Sequence, residues 1–270
     1  MYHSINVDIS SGEAFSSNSN DIINTYSDLY LVPDGRPTIS NPNLNSTYVD
    51  IPGASGSLDA SEWLTGFPTY KDREGDIQFY VLNDHGLWTD RRNRINALFH
   101  GRTIKLQLED EPGYFYKGRM TVDDWSSEKD GGYSKITLKY RLDPYKYSLL
   151  MSADKWKWDP FNFETGIIYD DMYSNISLSS DGSNGRVFSG RMLPYQPSYG
   201  YFGIAANSGD LTVRFINPEL NIDDTATLTS GKSVYKYSWL FSNLSGKNKV
   251  TVKPISGTGK LFIQVRFRCI

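Results

Sequence analysis

Adjacent carboxylates are the first residues in this chain that could do chemistry: Glu109-Asp110-Glu111, Asp123-Asp124, Asp170-Asp171 and Asp223-Asp224. Hydrolysis of a glycosidic bond needs two carboxyl groups opposed across the substrate, about 5 to 10 Å apart. Neighbours along a strand project to opposite faces, so Asp123-Asp124 is not such a pair by itself. Glu109-Asp110-Glu111 falls in a turn and reads as a solvated tip before it reads as a cation site. The three histidines, His3, His85 and His100, lack metal-ligand spacing, and structural or surface roles are expected for each. A phosphate-binding loop needs a glycine five residues before its Gly-Lys pair. That place holds Pro254 before Gly259-Lys260 and Ala226 before Gly231-Lys232-Ser233. There is no Gly-x-Ser-x-Gly elbow, and nothing nominates the members of a Ser-His-Asp triad, which converge only in the fold. The expectation is a protein that is not an enzyme and needs no cofactor and no metal.

Aromatic clusters offer binding chemistry instead. Lys155-Trp156-Lys157-Trp158 and the YQPSYGYF run from Tyr195 to Phe202 carry rings that stack on sugars or fill a partner's pocket. The same rings serve strand-rich domains as core. The first cluster reads foremost as core or interdomain packing. The second lies in a Pro/Gly-rich stretch and divides between core and contact surface. Tyr195, Tyr199, Tyr201 and Trp239 are the candidates for a glycan or partner surface.

These side chains must be positioned by a chain of 270 residues, long enough for one large domain or two smaller ones. Hydrophobic residues make up 39%, with 19 Tyr, 13 Phe and 6 Trp, which excludes a wholly disordered chain. A net charge of −3 argues against a general nucleic-acid binder but leaves room for a local basic patch. The single cysteine, Cys269, excludes an intramolecular disulfide and a Cys-rich zinc site. The first ten residues lack the basic and apolar regions of a secretory signal. Apolar clusters such as Tyr147 to Met151 fall far short of the roughly 20 residues that span a bilayer. A soluble protein made in a reducing cytoplasm is expected. The sequons at Asn45, Asn175 and Asn243 are read as chance.

Periodicity supplies the elements. Val7 and Ile9 predict an edge strand, Asn24 to Val32 another, and Asp76 to Leu82 a third. Pro33 to Asp59 is rich in loop signals, with turns at Asp34-Gly35 and Pro52-Gly53. A helix follows, capped by Thr89 or Asp90, with Ile95, Leu98 and Phe99 on one face and Gly101 at its C-terminal end. Arg91, Arg92 and Arg94 crowd its first turns, where the helix dipole disfavours cations. They read as a solvated face, or more sharply as partners for acidic groups on another protein. Thr103 to Leu108, Tyr114 to Trp125 and Tyr133 to Leu142 form an antiparallel meander. From Gly166 onward there are eight short alternating runs and no helix, which fits a β-sandwich or jelly roll. A boundary is placed near residue 150.

Particular segments add a resemblance. LVPDGRPTISNP, then YVDIPGASGSLDASE, then LTGFPTYKDREGDIQFYVLND precede the helix, and LFHGRTIKLQLEDEPGYFYKGRMTVDDW and YSKITLKYRLDPYK follow it. Their order over residues 22 to 150 strongly resembles the N-terminal domain of the distal tail proteins of siphophages. KWKWDPFNFETGIIY resembles the start of that family's second domain, and beyond Tyr169 the assignment rests on strand pattern alone. The resemblance implies a mainly β protein. Residues 1–150 would be a ring-forming α+β domain with antiparallel sheets and one helix. Residues 151–270 would be an outward-projecting, galectin-like β-sandwich.

It further implies a hexameric hub at the virion tail tip, assembled in the host cytoplasm. Its partners would be the tail tube protein, a tail-associated lysin or tail spike, and receptor-binding proteins. DNA would meet it only in transit through the lumen, with no membrane insertion. Pro52, Gly53 and Gly56 shape the VDIPGASG loop. They either merely permit a tight turn or place that loop at the ring interface. Attachment to host cell-wall glycans through the C-terminal half is the alternative reading.

Overall fold

The computed structural model describes residues 3–64, 68–82, 88–127, 133–151, 176–179, 186–189, 196–204, 209–218, 221–229, 235–236 and 249–270. The chain divides into two compact units, Met1–Leu149 with Ile270, and Leu150–Cys269.

The first unit holds β1 (Ile5–Asp8), β2 (Ile22–Asn24), β3 (Leu31–Pro33), β4 (Tyr48–Asp50), β5 (Ser57–Asp59) and β6 (Arg73–Leu82). Helix α1 (Trp88–Phe99) follows, then β7 (Arg102–Leu108), β8 (Tyr114–Ser127), β9 (Tyr133–Leu142) and β10 (Lys146–Met151). Pairing is antiparallel and runs β2-β1-β7-β8-β9-β6-β3. Past the Pro144 bend, β10 takes up Phe115 and Tyr114 of β8. The predicted meander is therefore present, with strand ends close to the expected ones.

Alternation builds the core. Ile104, Leu106 and Leu108 of β7, Ile136, Leu138, Tyr140 and Leu142 of β9, and Ile77, Phe79 and Val81 of β6 are all buried. Helix α1 adds Ile95 and Phe99, four residues apart on one face, and packs on β7 and β8. Its C-terminal stop is Gly101 at φ +74°, a left-handed conformation that costs a side-chain residue energy. The helix begins at Trp88, so Thr89 and Asp90 lie inside its first turn and not at the cap. Asp90 there suits the positive end of the dipole.

Two strand expectations are corrected. β1 is not an edge strand: it is paired on both sides, and Ile5 and Val7 are wholly buried. Asn24 to Val32 is not one strand but β2, a turn and β3. The Asn24 side chain accepts hydrogen bonds from the amides of Tyr26 and Ser27, and this folds the backbone into a local turn that competes with extension.

The second unit contains β11 (Ile176–Ser179), β12 (Arg186–Ser189), β13 (Gln196–Ile204), β14 (Leu211–Asn217), β15 (Ile222–Leu228), β16 (Tyr235–Lys236), β17 (Lys249–Ser256) and β18 (Thr258–Cys269). Each of the eight expected runs corresponds to one of these strands. β16, β13, β18 and β11 pair in that order, and β12, β17, β14 and β15 form another antiparallel sheet. Leu211, Val213 and Phe215 of β14 bury one face beside Ala226 and Leu228 of β15. Pro254 has no amide to donate, and the β14–β17 ladder slips beside it, the usual refuge for proline in a sheet. The chain is thus mainly β with one α-helix among the described residues, as expected.

Candidate functional site

The most unusual feature of the first unit is an excursion between β3 and β6 that leaves the body and returns. Its root is bound tightly. The Ser40 amide donates to the Tyr140 hydroxyl at 3.0 Å, and the Ser40 hydroxyl donates to the Glu74 carbonyl at 2.8 Å. Arg73, almost fully buried, donates to the carbonyls of Ser40 (2.8 Å) and Pro144 (2.9 Å). Gly75 makes room for the Tyr140 ring: a Cβ there would collide with the hydroxyl.

Beyond the root lies a short stalk. The Lys71 amide donates to the Asn43 carbonyl and the Asn45 amide to the Thr69 carbonyl, each at 2.8 Å, around a Leu44–Tyr70 bridge. β4 and β5 then pair Tyr48 with Asp59, Val49 with Leu58 and Asp50 with Ser57. Ile51 to Gly56 close the tip, with Gly53 at φ +81° and Gly56 at φ +84°. Pro52 and both glycines therefore shape the turn of an exposed hairpin. The tight turn is observed.

Almost every residue of this arm is exposed, including its apolar ones. Tyr48 is 60% exposed, Trp63 69% and Leu64 101%, with Leu44, Val49, Ile51 and Leu58 also open to water. A lone two-stranded hairpin is marginal in water. Its two edges present unpaired amides and carbonyls, and contiguous exposed apolar surface marks an interaction site. The arm is also one-signed: between Arg36 and Lys71 there is no Lys or Arg, while Asp50, Asp59 and Glu62 are acidic.

Glu109-Asp110-Glu111 is held by other parts of the chain, and Asp170-Asp171 lies outside the described residues. Glu109 accepts from the Ser4 amide (2.7 Å) and hydroxyl (3.1 Å). Asp110 lies 3.0 Å from His3 and 2.9 Å from Arg36. Burial pushes the Asp110 carboxyl up, but Arg36 and His3 together draw it below its ordinary value. Glu111 accepts from the Tyr116 hydroxyl at 2.8 Å and meets Lys146 at 3.2 Å. This turn is therefore not a solvated tip; it is a clasp that fastens the N-terminal strand. The β8 ladder slips a residue between Val122 and Asp124, so Asp123 and Asp124 are both exposed in spite of strand alternation. Asp123 is taken by Lys139 at 2.9 Å. Among the described residues no group of three or more His, Cys, Asp or Glu is placed to hold a metal ion.

The aromatic candidates divide. Tyr195, Trp239 and the Lys155–Phe163 cluster lie outside the described residues. Tyr199 and Tyr201 stand on β13, opposite Arg266 and Gln264 of β18. The segment around them, Gln196–Ile204, is a strand and not a loop, with β18 along one side and β16 beside Tyr201 and Phe202 on the other.

A rooted arm with exposed apolar side chains offers a surface for contact with another molecule. The Distal tail protein of Bacillus phage SPP1 is 35% identical to this chain over 109 residues, which is 38% of this chain and 40% of that protein. The resemblance to phage distal tail proteins seen in the sequence segments therefore holds. A crystal structure of SPP1 Dit (gp 19.1), a paradigm of the hub adsorption apparatus in phages infecting Gram-positive bacteria, covers 87% of this chain and 91% of its own. Its sequence identity is 16% and its TM-score 0.49. No family model matches the chain.

Proposed function

We propose that this chain is a structural subunit of a phage tail tip, a distal tail hub whose work is done by interfaces and not by a reacting group. The observation that carries the reading is the arm: an acidic hairpin with exposed apolar side chains, firmly rooted at its base. The chain's 35% identity over 109 residues to a distal tail protein supports the same reading. Six copies close a ring through their first units. The ring joins the tail tube protein above to a tail lysin or spike below. The second units project outward and carry receptor-binding proteins. A heterologous contact that closes by rotation gives a ring instead of a fibre. A ring of this kind buries upwards of about 2,000 Å² per subunit contact.

Light scattering on the purified chain tests this. A species six times the 30.6 kDa chain is expected. Replacing the stretch from Thr47 to Ser61 by a short Gly-Ser turn should leave a folded chain of monomer mass. An oligomer that survives loss of the arm removes the observation on which the reading stands.

A further inference from the structure

We infer that the cleft between α1 and β8 is a binding site for a neutral pyranose sugar. The site needs no second copy of the chain, so it stands or falls apart from the hub reading. The cleft has a volume of about 570 Å³, inside the range of roughly 300–1,000 Å³ of small-molecule sites. Asn96 and His100, four residues apart, stand on its helical wall, and Asp124 and Trp125 on its strand wall. Ala97, small and exposed, leaves depth beside the helix. The β8 ladder slips between Val122 and Asp124 at this wall. Bulges of this kind re-aim side chains and recur beside binding sites.

The polar groups here suit hydroxyls. Among the described residues the Asn96 side-chain amide has no hydrogen-bond partner, and Asp124 uses only Oδ1, which accepts the Trp125 amide at 2.7 Å. The Val122 amide donates to His100 Nδ1 at 3.3 Å, which assigns the ring proton to Nε2. The cleft therefore offers an amide donor and acceptor, an imidazole donor and a carboxylate acceptor around Trp125, which is half-buried and packs in part on the core. A sugar calls for this set. Each hydroxyl both donates and accepts, so neighbouring hydroxyls pair with planar amide and carboxylate groups, while the C–H face of the ring lies on an aromatic surface.

Charge selects a neutral ligand. Arg92 on the helical wall faces a strand wall carrying Asp123 and Asp124, and Lys139 holds Asp123 at 2.9 Å. Neither sign dominates: an anion would meet the carboxylates and a cation the basic groups. Among the described residues no set of three or more His, Cys, Asp or Glu converges to hold a metal ion there.

The test is saturation-transfer NMR on the full chain with glucose, galactose, N-acetylglucosamine, cellobiose, lactose and chitobiose at millimolar concentration. At least one should receive saturation, chiefly at its ring C–H protons. In isothermal titration with that sugar, Asn96→Ala should weaken binding roughly 3- to 10-fold, as loss of one hydrogen bond does. Ala97→Trp fills the cleft from an exposed position and should abolish binding. Asn93→Ala, exposed and outside the cleft lining, should bind like the parent. Thermal unfolding reports the fold of each variant, and either cleft variant that folds decides the matter. Silence from every sugar tried, or binding that survives both Asn96→Ala and Ala97→Trp, overturns the site while leaving the hub reading standing. Preference for glucuronate or glucose phosphate over glucose overturns it too, since the ligand would then be an anion.

Discussion

Lys105 Nζ lies 2.8 Å from the Asp8 carboxylate, with both side chains withdrawn from water. The pair joins strands 97 residues apart in the chain. It is fully bonded: Lys105 also donates to the Ser10 hydroxyl (2.9 Å) and carbonyl (3.2 Å), and Asp8 accepts from the Ser10 and Ser16 amides at 2.7 Å each. The segment after β1 therefore folds over the outer face of the sheet and brings Phe15 against Phe115.

Removing one partner of such a pair leaves a buried charge without its counterion. Lys105→Met should cost about 3–5 kcal/mol in urea unfolding, towards the lower end because two amides still hold Asp8. The double variant D8L/K105M should cost less than Lys105→Met alone. Additive losses in this double-mutant cycle would mean that the ion pair is not coupled.

Acid should weaken this joint. Burial pushes the Asp8 carboxyl up, but the hydrogen bonds from Lys105, Ser10 and the Ser16 amide outweigh it and hold the group below its ordinary value. The folded chain therefore binds this proton less readily than the unfolded one. The stabilisation is complete above about pH 4 and fades as pH falls through the lower native value. Urea midpoints between pH 6 and 3 should drop for the parent, and the drop should be smaller in Asp8→Asn.

A single hydroxyl secures the start of β1. The buried Ile5 amide donates to Thr25 Oγ1 at 2.9 Å. Thr25→Val keeps the volume and orphans the amide, which should cost about 1–3 kcal/mol in chemical denaturation. Amide exchange at Ile5 should rise in parallel. Unchanged protection there would show that the amide finds another acceptor.

The turn between β17 and β18 demands glycine. Gly257 has φ +86°, and a Cβ would run into the Asp210 carbonyl. Left-handed backbone alone costs a side-chain residue about 1–2 kcal/mol, so Gly257→Ala should destabilise the second unit by more than that. Limited proteolysis should report the loss as faster cleavage after residue 150.

Arm and core should respond oppositely to truncation. Leu64→Ser should leave the unfolding free energy within about 0.5 kcal/mol of the parent. Phe79→Ala, at a fully buried position, should cost about 3–5 kcal/mol. A large loss on changing Leu64 would mean that the arm contributes to the fold of its own chain.

What could be read in advance was local. Alternation over β7, β8 and β9 and the left-handed stop at Gly101 depend on residues within one turn or one strand, so period and turn chemistry sufficed. The segments of the VDIPGASG loop and the EDEPGYFYKGR run carried the resemblance to distal tail proteins. The failures involve partners far away in the chain. Glu109-Asp110-Glu111 looks like any solvated turn until Ser4, His3 and Lys146 arrive at it from distant parts of the chain. Asp123-Asp124 obeys strand alternation on paper, and only a ladder slip exposes both.

Sequence by itself determined a β-rich chain with one helix among the described residues, no intramolecular disulfide, and turns at Asp34-Gly35 and Pro52-Gly53, because backbone preference and side-chain period act over a few residues. Tertiary structure alone decided that β1 is an interior strand, that Lys105 is buried against Asp8, and that the apolar residues from Leu44 to Leu64 face water. Burial and exposure depend on what the rest of the chain brings near a residue. A Trp63 beneath a strand and a Trp63 on a projecting arm have the same neighbours in sequence.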